Sequence, residues 1–187
     1  TIRLYRYTQG LKGNQPFDSE MSIDENDEPT TKEDLEYILG TLGASGIQLT
    51  AIAPRFVGNF EKAIDYYYDI DQDGRKDRDT NHFREHLIEI VGILNQRGYP
   101  IKLSVHSGSD KFSVYPILAA EAREMLHVKT AGTSYLEELR TIAKAHPDLF
   151  REIYAFSLEQ FSRDRATYHL TTNLDNIPDL SNLSGEE

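Results

Sequence analysis

Histidines, carboxylates and cations recur at the ends of short apolar runs, which is where parallel sheets bind ligands. Asp24 and Glu25 close a run at 21–24, and Pro54, Arg55 and Phe56 follow a run at 46–53. The run 101–105 leads into His106, Ser107, Gly108, Ser109, Asp110 and Lys111. His127 and Lys129 lie in a run at 125–129, with Thr130, Gly132 and Thr133 after it, and His169 lies in a weaker run at 166–171. Imidazole plus carboxylate from separate strands suits a divalent metal with open coordination positions. The cations suit a carboxylate or phosphate substrate, which Arg55 can grip bidentately. Successive backbone N–H groups over 107–109 could add an anion cradle.

The same residues have plainer readings. A histidine inside a strand is more often a hydrogen-bonded core residue than a ligand. His127, however, alternates with Leu126 and Val128 and so can face away from them. Lys129 is costly to bury without a partner, and its isolation in an apolar run favours function. Residues 24–28 also read as an acidic loop before a helix N-terminus, where negative charge is welcome. That reading is preferred for Glu28 and stays open for Asp24 and Glu25. Asp69-x-Asp71-x-Asp73-Gly74 copies the first half of an EF-hand loop. Its twelfth position is Thr80 rather than a bidentate Glu, and Arg75, Lys76 and Arg78 dilute its charge. His82 and His86 stand at i and i+4 on a helix without the H-E-x-x-H order, and read as surface residues.

Amphipathic helices must separate the runs. Leu35, Ile38, Leu39 and Leu42 fall at i, i+3, i+4 and i+7, opened by a Thr30-x-x-Glu33 capping box and stopped at Gly43. Phe83, Leu87, Ile90, Val91 and Leu94 form a second stripe, ended by Gly98 and Pro100. Ser134-x-x-Glu137 opens a third helix with Leu136, Leu139 and Ile142 inward. Pro147 restarts a fourth, with Phe150, Ile153, Tyr154 and Phe161. Strand–helix–strand alternation predicts an α/β fold of parallel β/α repeats, either a TIM-type barrel or an open doubly wound sheet. No G-x-G-x-x-G follows a strand, which leaves a dinucleotide fold unsupported.

Composition narrows the partners. With 187 residues and 39% hydrophobic content, the chain can form one domain with a core. A full barrel takes roughly 250 residues, so the expectation is one incomplete β/α-barrel domain over 1–187, part of a longer chain, with a polar tail at 173–187. The net charge of −11 argues against nucleic acid and anionic membranes as partners. No apolar run approaches a membrane span. There is no cysteine and hence neither disulfide nor thiolate chemistry, and the cytoplasm is the default location.

At these strand ends the wording resembles the tagaturonate epimerase family. The matching blocks are Ser22-Ile23-Asp24-Glu25 with Glu28-Pro29-Thr30-Thr31, the stretch 53–58 with Lys62, Asp65 and Tyr66, the long stretch 102–116 around His106, the stretch 127–134, and 168–172. They span 20 to 172 in the family's order, and the stretch around His106 is too long to be fortuitous. The resemblance implies a metal-dependent barrel enzyme that interconverts tagaturonate and fructuronate by inverting the fourth carbon, with relatives acting on neutral ketohexoses. It also implies a longer chain, and marks 69–80 as a departure from the family pattern, read as an inserted loop.

The hydrogen on the fourth carbon of a 2-ketose is β to the carbonyl, so simple enolisation cannot invert that centre. Retro-aldol cleavage between the third and fourth carbons can. On this expectation Glu25, His106 and His127 hold a divalent cation (Mn, Ni, Zn or Fe), with His169 as a weaker fourth ligand. Asp24 is the base and Lys129 the oxyanion stabiliser. Arg55 and Lys111 hold the uronate carboxylate, and Ser107, Ser109 and Asp110 complete the substrate contacts. The competing readings are an aldolase or isomerase of another sugar acid or ketohexose, and a non-catalytic acidic domain binding calcium through 69–79.

Overall fold

A computed structural model describes residues 1–61, 64–129, 133–167, 170–177 and 179. The chain divides into two compact units, 1–130 and 131–187. In the second, helices α5 (Thr133–Ala145) and α6 (Pro147–Asp164) pair with each other.

The first unit runs α1 (Ile2–Lys12), β1 (Glu20–Ser22), α2 (Lys32–Ala44), β2 (Ala51–Ala53), β3 (Asp69–Ile70), β4 (Lys76–Asp77), α3 (Asn81–Asn95), β5 (Lys102–Val105), α4 (Tyr115–Glu121) and β6 (Leu126–Val128). Strands β1, β2, β5 and β6 form one parallel sheet in that order. The register pairs Glu20 with Ala51, Ser22 with Ala53, Ala51 with Lys102, and Ser104 with His127. Side chains alternate along a strand, so Glu20, Ser22, Ala51, Ala53, Ser104 and His127 share one face. Ile52, Leu103 and Val105 occupy the other. There they are buried with Leu35, Leu39 and Leu42 of α2, Phe83, Leu87, Ile90 and Leu94 of α3, and Leu118 of α4. Each such burial stabilises by about 1.5–3 kcal/mol. Helices thus cover the apolar face. The other face carries polar groups around two alanines, whose small side chains leave room above β2.

The strands are shorter than the apolar runs, and 46–50 is not strand. The capping box lies one residue later than expected. The Thr31 hydroxyl accepts the Asp34 N–H at 3.1 Å, and Asp34 accepts the Thr31 N–H at 3.0 Å. Thr30 is unavailable for that role because its N–H and hydroxyl are bonded to the backbone of Arg55. The run 166–171 forms no strand among its described residues: Ala166 and Thr167 belong to a 3-10 turn, and His169 lies outside the described residues. The segment read as an inserted loop contains the β3–β4 hairpin. Asp71 Oδ1 accepts the Asp73 and Arg75 N–H groups at 2.9 and 2.8 Å. No helix, such as an EF-hand's entering helix, is formed by the described residues between β2 and β3. No helix among the described residues is long and apolar enough to cross a membrane.

Candidate functional site

Glu20 is the centre of the polar face. Its Oε1 accepts from His106 Nε2 and from Lys129 Nζ, both at 2.7 Å, and its Oε2 lies 3.8 Å from His127 Nδ1. The groups come from β1, from the turn after β5, and from β6 and its end, and they meet across the alanines of β2. On the far side of the same imidazole, His106 Nδ1 faces Asp24 Oδ1 at 3.0 Å. Asp24 also accepts from Ser22 Oγ at 2.5 Å. Both nitrogens of His106 therefore lie beside carboxylate oxygens, and the Ser22 hydroxyl stands 3.3 Å from Nδ1. The main chain holds the cluster in register: the Lys129 N–H donates to the Val105 carbonyl and the Gly108 N–H to the Lys129 carbonyl.

Burial alone would raise the Glu20 carboxyl, but the Lys129 and His106 donors, with the Ser104 hydroxyl behind them and the Lys129 charge, outweigh it and pull it down to about 2. Glu20 is thus an anion with a cation already on it. The Ser104 hydroxyl is buried below the cluster, near Glu20 but short of hydrogen-bond geometry.

Among the expected site residues, the structure joins His106 and Lys129 through Glu20, with His127 at its edge and Asp24 on the far side of His106. The carboxylate between the two imidazoles is Glu20, while Glu25 lies exposed in the turn after β1. Among the described residues no three His, Asp or Glu side chains form a ready metal-binding group. The donor types nevertheless fit a divalent cation: two imidazoles and a carboxylate from separate strands. Asp24 stands behind His106 as carboxylates commonly stand behind metal-bound histidines.

Arg55 follows β2, forms no ion pair among the described residues, and has its Nε buried without a partner. Asp110 Oδ2 is likewise without a partner, in a residue at φ 63°. Ser107, at φ 48°, is partly exposed. Three of the expected groups are engaged elsewhere. Lys111 is fully buried, and its ammonium donates to the carbonyls of Glu61 (2.6 Å), Ile64 and Ser109 (3.2 Å). With its three hydrogens committed, it is a strut rather than a hand for a carboxylate. Ser109 is buried alongside it. The cradle over 107–109 is also unavailable as drawn, because Gly108 spends its N–H on Lys129. His86, read as a surface residue, bridges two loops: Nδ1 accepts from Val57 at 3.1 Å and Nε2 donates to the Thr30 carbonyl at 2.8 Å.

Glu20 and Ser104 escaped the sequence reading. A strand read as 21–24 starts one residue too late. Begun at Glu20, its alternation puts Glu20, Ser22 and Asp24 at i, i+2 and i+4, a polar series that was there to be seen.

A family model described as tagaturonate epimerase (UxaE) matches residues 3–187. A tagaturonate/fructuronate epimerase of Thermotoga maritima is 41% identical over 180 residues, which is 96% of this chain and 35% of that protein. Crystal structures of fructuronate-tagaturonate epimerase UxaE from Cohnella laeviribosi, native and with one glycerol, match at TM-score 0.81 and 37% identity. The match covers 99% of this chain and 36% of theirs. The chain thus spans about a third of the length of these relatives.

Proposed function

The chain belongs to the tagaturonate epimerase family, and on that premise we propose that it supplies part of an enzyme interconverting tagaturonate and fructuronate by inversion at the fourth carbon. The observation that carries the chemistry is Glu20 receiving His106 and Lys129 while Asp24 backs the same imidazole. The sheet runs in sequence order without the reversal that marks doubly wound folds. This favours the barrel reading, in which the polar face would line the interior.

In the proposed reaction, Asp24 takes the proton of the C4 hydroxyl as the bond between the third and fourth carbons breaks. The fourth carbon becomes an aldehyde, and the electron pair passes to the third carbon and the neighbouring carbonyl oxygen. Lys129 stabilises the negative charge that develops there. The aldehyde turns its other face, the bond re-forms, and Asp24 returns the proton to the C4 oxygen. Arg55 holds the uronate carboxylate throughout, and Ser107 and Asp110 contact hydroxyls of the sugar. Glu20, His106 and His127 are the residues that would hold a divalent cation, with His169 as a further candidate. When bound, the ion would supply Lewis-acid stabilisation of the ketose oxygens. Glu20 takes the role expected of Glu25 because it is the carboxylate in contact with the imidazoles.

Arg55→Ala tests the substrate assignment in the natural polypeptide. The KM for tagaturonate should rise about ten- to a hundredfold, the range for a lost charge-assisted hydrogen bond, with little change for a neutral 2-ketohexose. Equal losses on both sugars would remove Arg55 from the carboxylate site.

A further inference from the structure

The loops after β1 and β2 are tied together by a side chain that the reaction above does not use. His86 stands on the second turn of α3, and its ring bonds to backbone groups 29 and 56 residues away. Because the Val57 N–H supplies the hydrogen to Nδ1, the neutral ring carries its own proton on Nε2, where it donates to Thr30. Thr30 is buried and bonded to Arg55 in both directions. Its N–H donates to the Arg55 carbonyl and its hydroxyl accepts the Arg55 N–H, each at 2.9 Å. The Phe56 ring meets the imidazole edge-on, with centroids 6.2 Å apart. The bonds form a closed circuit through His86, Thr30, Arg55 and Val57, and Arg55 extends its side chain from that circuit without an ion pair among the described residues.

We infer that His86 is a positioning residue for Arg55: it holds segment 54–57 against Thr30, so that the guanidinium meets the substrate carboxylate at one fixed place. This rests on the reading of Arg55 as the carboxylate-binding residue. A core-filling role would be met by any ring of similar size. Two hydrogen bonds of opposite polarity, to backbone groups on different loops, require imidazole in one tautomer.

The test is a double-mutant cycle in the natural polypeptide, with tagaturonate as substrate and a neutral 2-ketohexose as competing ligand. His86→Phe keeps the ring volume and loses both bonds. His86→Gln keeps a donor for Thr30. His86→Phe should raise the KM for tagaturonate about tenfold or more, leave kcat within about threefold, and leave the Ki of the neutral sugar near its wild-type value. His86→Gln should recover part of the loss. Combined with Arg55→Ala, His86→Phe should add almost nothing, as expected for two residues acting through one contact. Equal effects on both sugars, or an undiminished effect in the Arg55→Ala background, overturn the proposal. An Arg55→Ala enzyme with unchanged uronate affinity overturns the reading of Arg55, and this inference with it. Nitrogen-15 NMR of the wild-type ring separates the two failures and stays decisive if a variant does not fold. A proton on Nδ1 breaks the circuit even where Arg55 does bind the carboxylate.

Discussion

Lys111→Met is the sharpest test of how the structure divides its cations. Methionine keeps the length and most of the volume of lysine, so packing beside Phe60 is preserved, and what is lost is an ammonium donating to three carbonyls. Three charge-assisted hydrogen bonds contribute about 1.5–3 kcal/mol each, or roughly 4.5–9 kcal/mol gross. Removing a charge from a fully buried position returns several kcal/mol of desolvation, leaving a net loss of about 2–4 kcal/mol. For a chain of this size that lowers Tm by very roughly 5–15 °C. The pH dependence gives a second handle. Desolvation lowers the ammonium from 10.5 to about 8, against the opposing charges of Asp110, Asp65 and Glu61. Below about pH 8 both folded and unfolded chains carry the proton, and the burial penalty is fully present. Between about 8 and 10.5 the unfolded chain holds a proton that the folded protein has released, so this group's contribution to stability rises with pH. The gap between wild type and Lys111→Met should therefore widen across that window. Denaturant titrations at pH 7 and pH 9.5 measure both effects. A variant as stable as wild type at both values, yet with a selectively raised KM for tagaturonate, would refute the structural role and restore Lys111 to the substrate site.

Glu20→Gln keeps the shape of the hub and removes its charge from Lys129 and His106. Turnover in the natural polypeptide should fall about a hundredfold or more, and an unchanged kcat would remove Glu20 from the chemistry. Gly108→Ala tests the seam between the β5 turn and β6. An added Cβ would meet Val128 Cγ1 at 2.6 Å and the Lys129 carbonyl oxygen at 3.1 Å. A loss of about 1–3 kcal/mol is expected by calorimetry, and a wild-type Tm would contradict the close approach.

The four main strands and the long helices α2, α3, α5 and α6 were legible because apolar spacing reports which face is buried. Helix α1 was not. Among its residues Leu4, Tyr7 and Leu11 are exposed, so its apolar stripe is not answered by a buried face. At the site, Asp24, His106, His127 and Lys129 were readable as polar residues at strand ends. Glu20 sits at a strand's beginning, where a rule about carboxyl ends does not look. Lys111 shows the opposite error. It follows a strand end as Arg55 does, yet the turn through Ser107 and Asp110, both at positive φ, carries it into the interior.

What the sequence determined by itself is therefore the class of the fold, the strand ends that carry the polar groups, and the family. These are properties of composition, period and local wording. Tertiary structure alone decided which polar groups meet. Parallel register set Glu20 level with Ala51, and two alanines left the gap across which β1 reaches the turn after β5 and the end of β6. Contacts made between residues 86 and 109 positions apart depend on strand order and backbone direction in space, which no local pattern encodes.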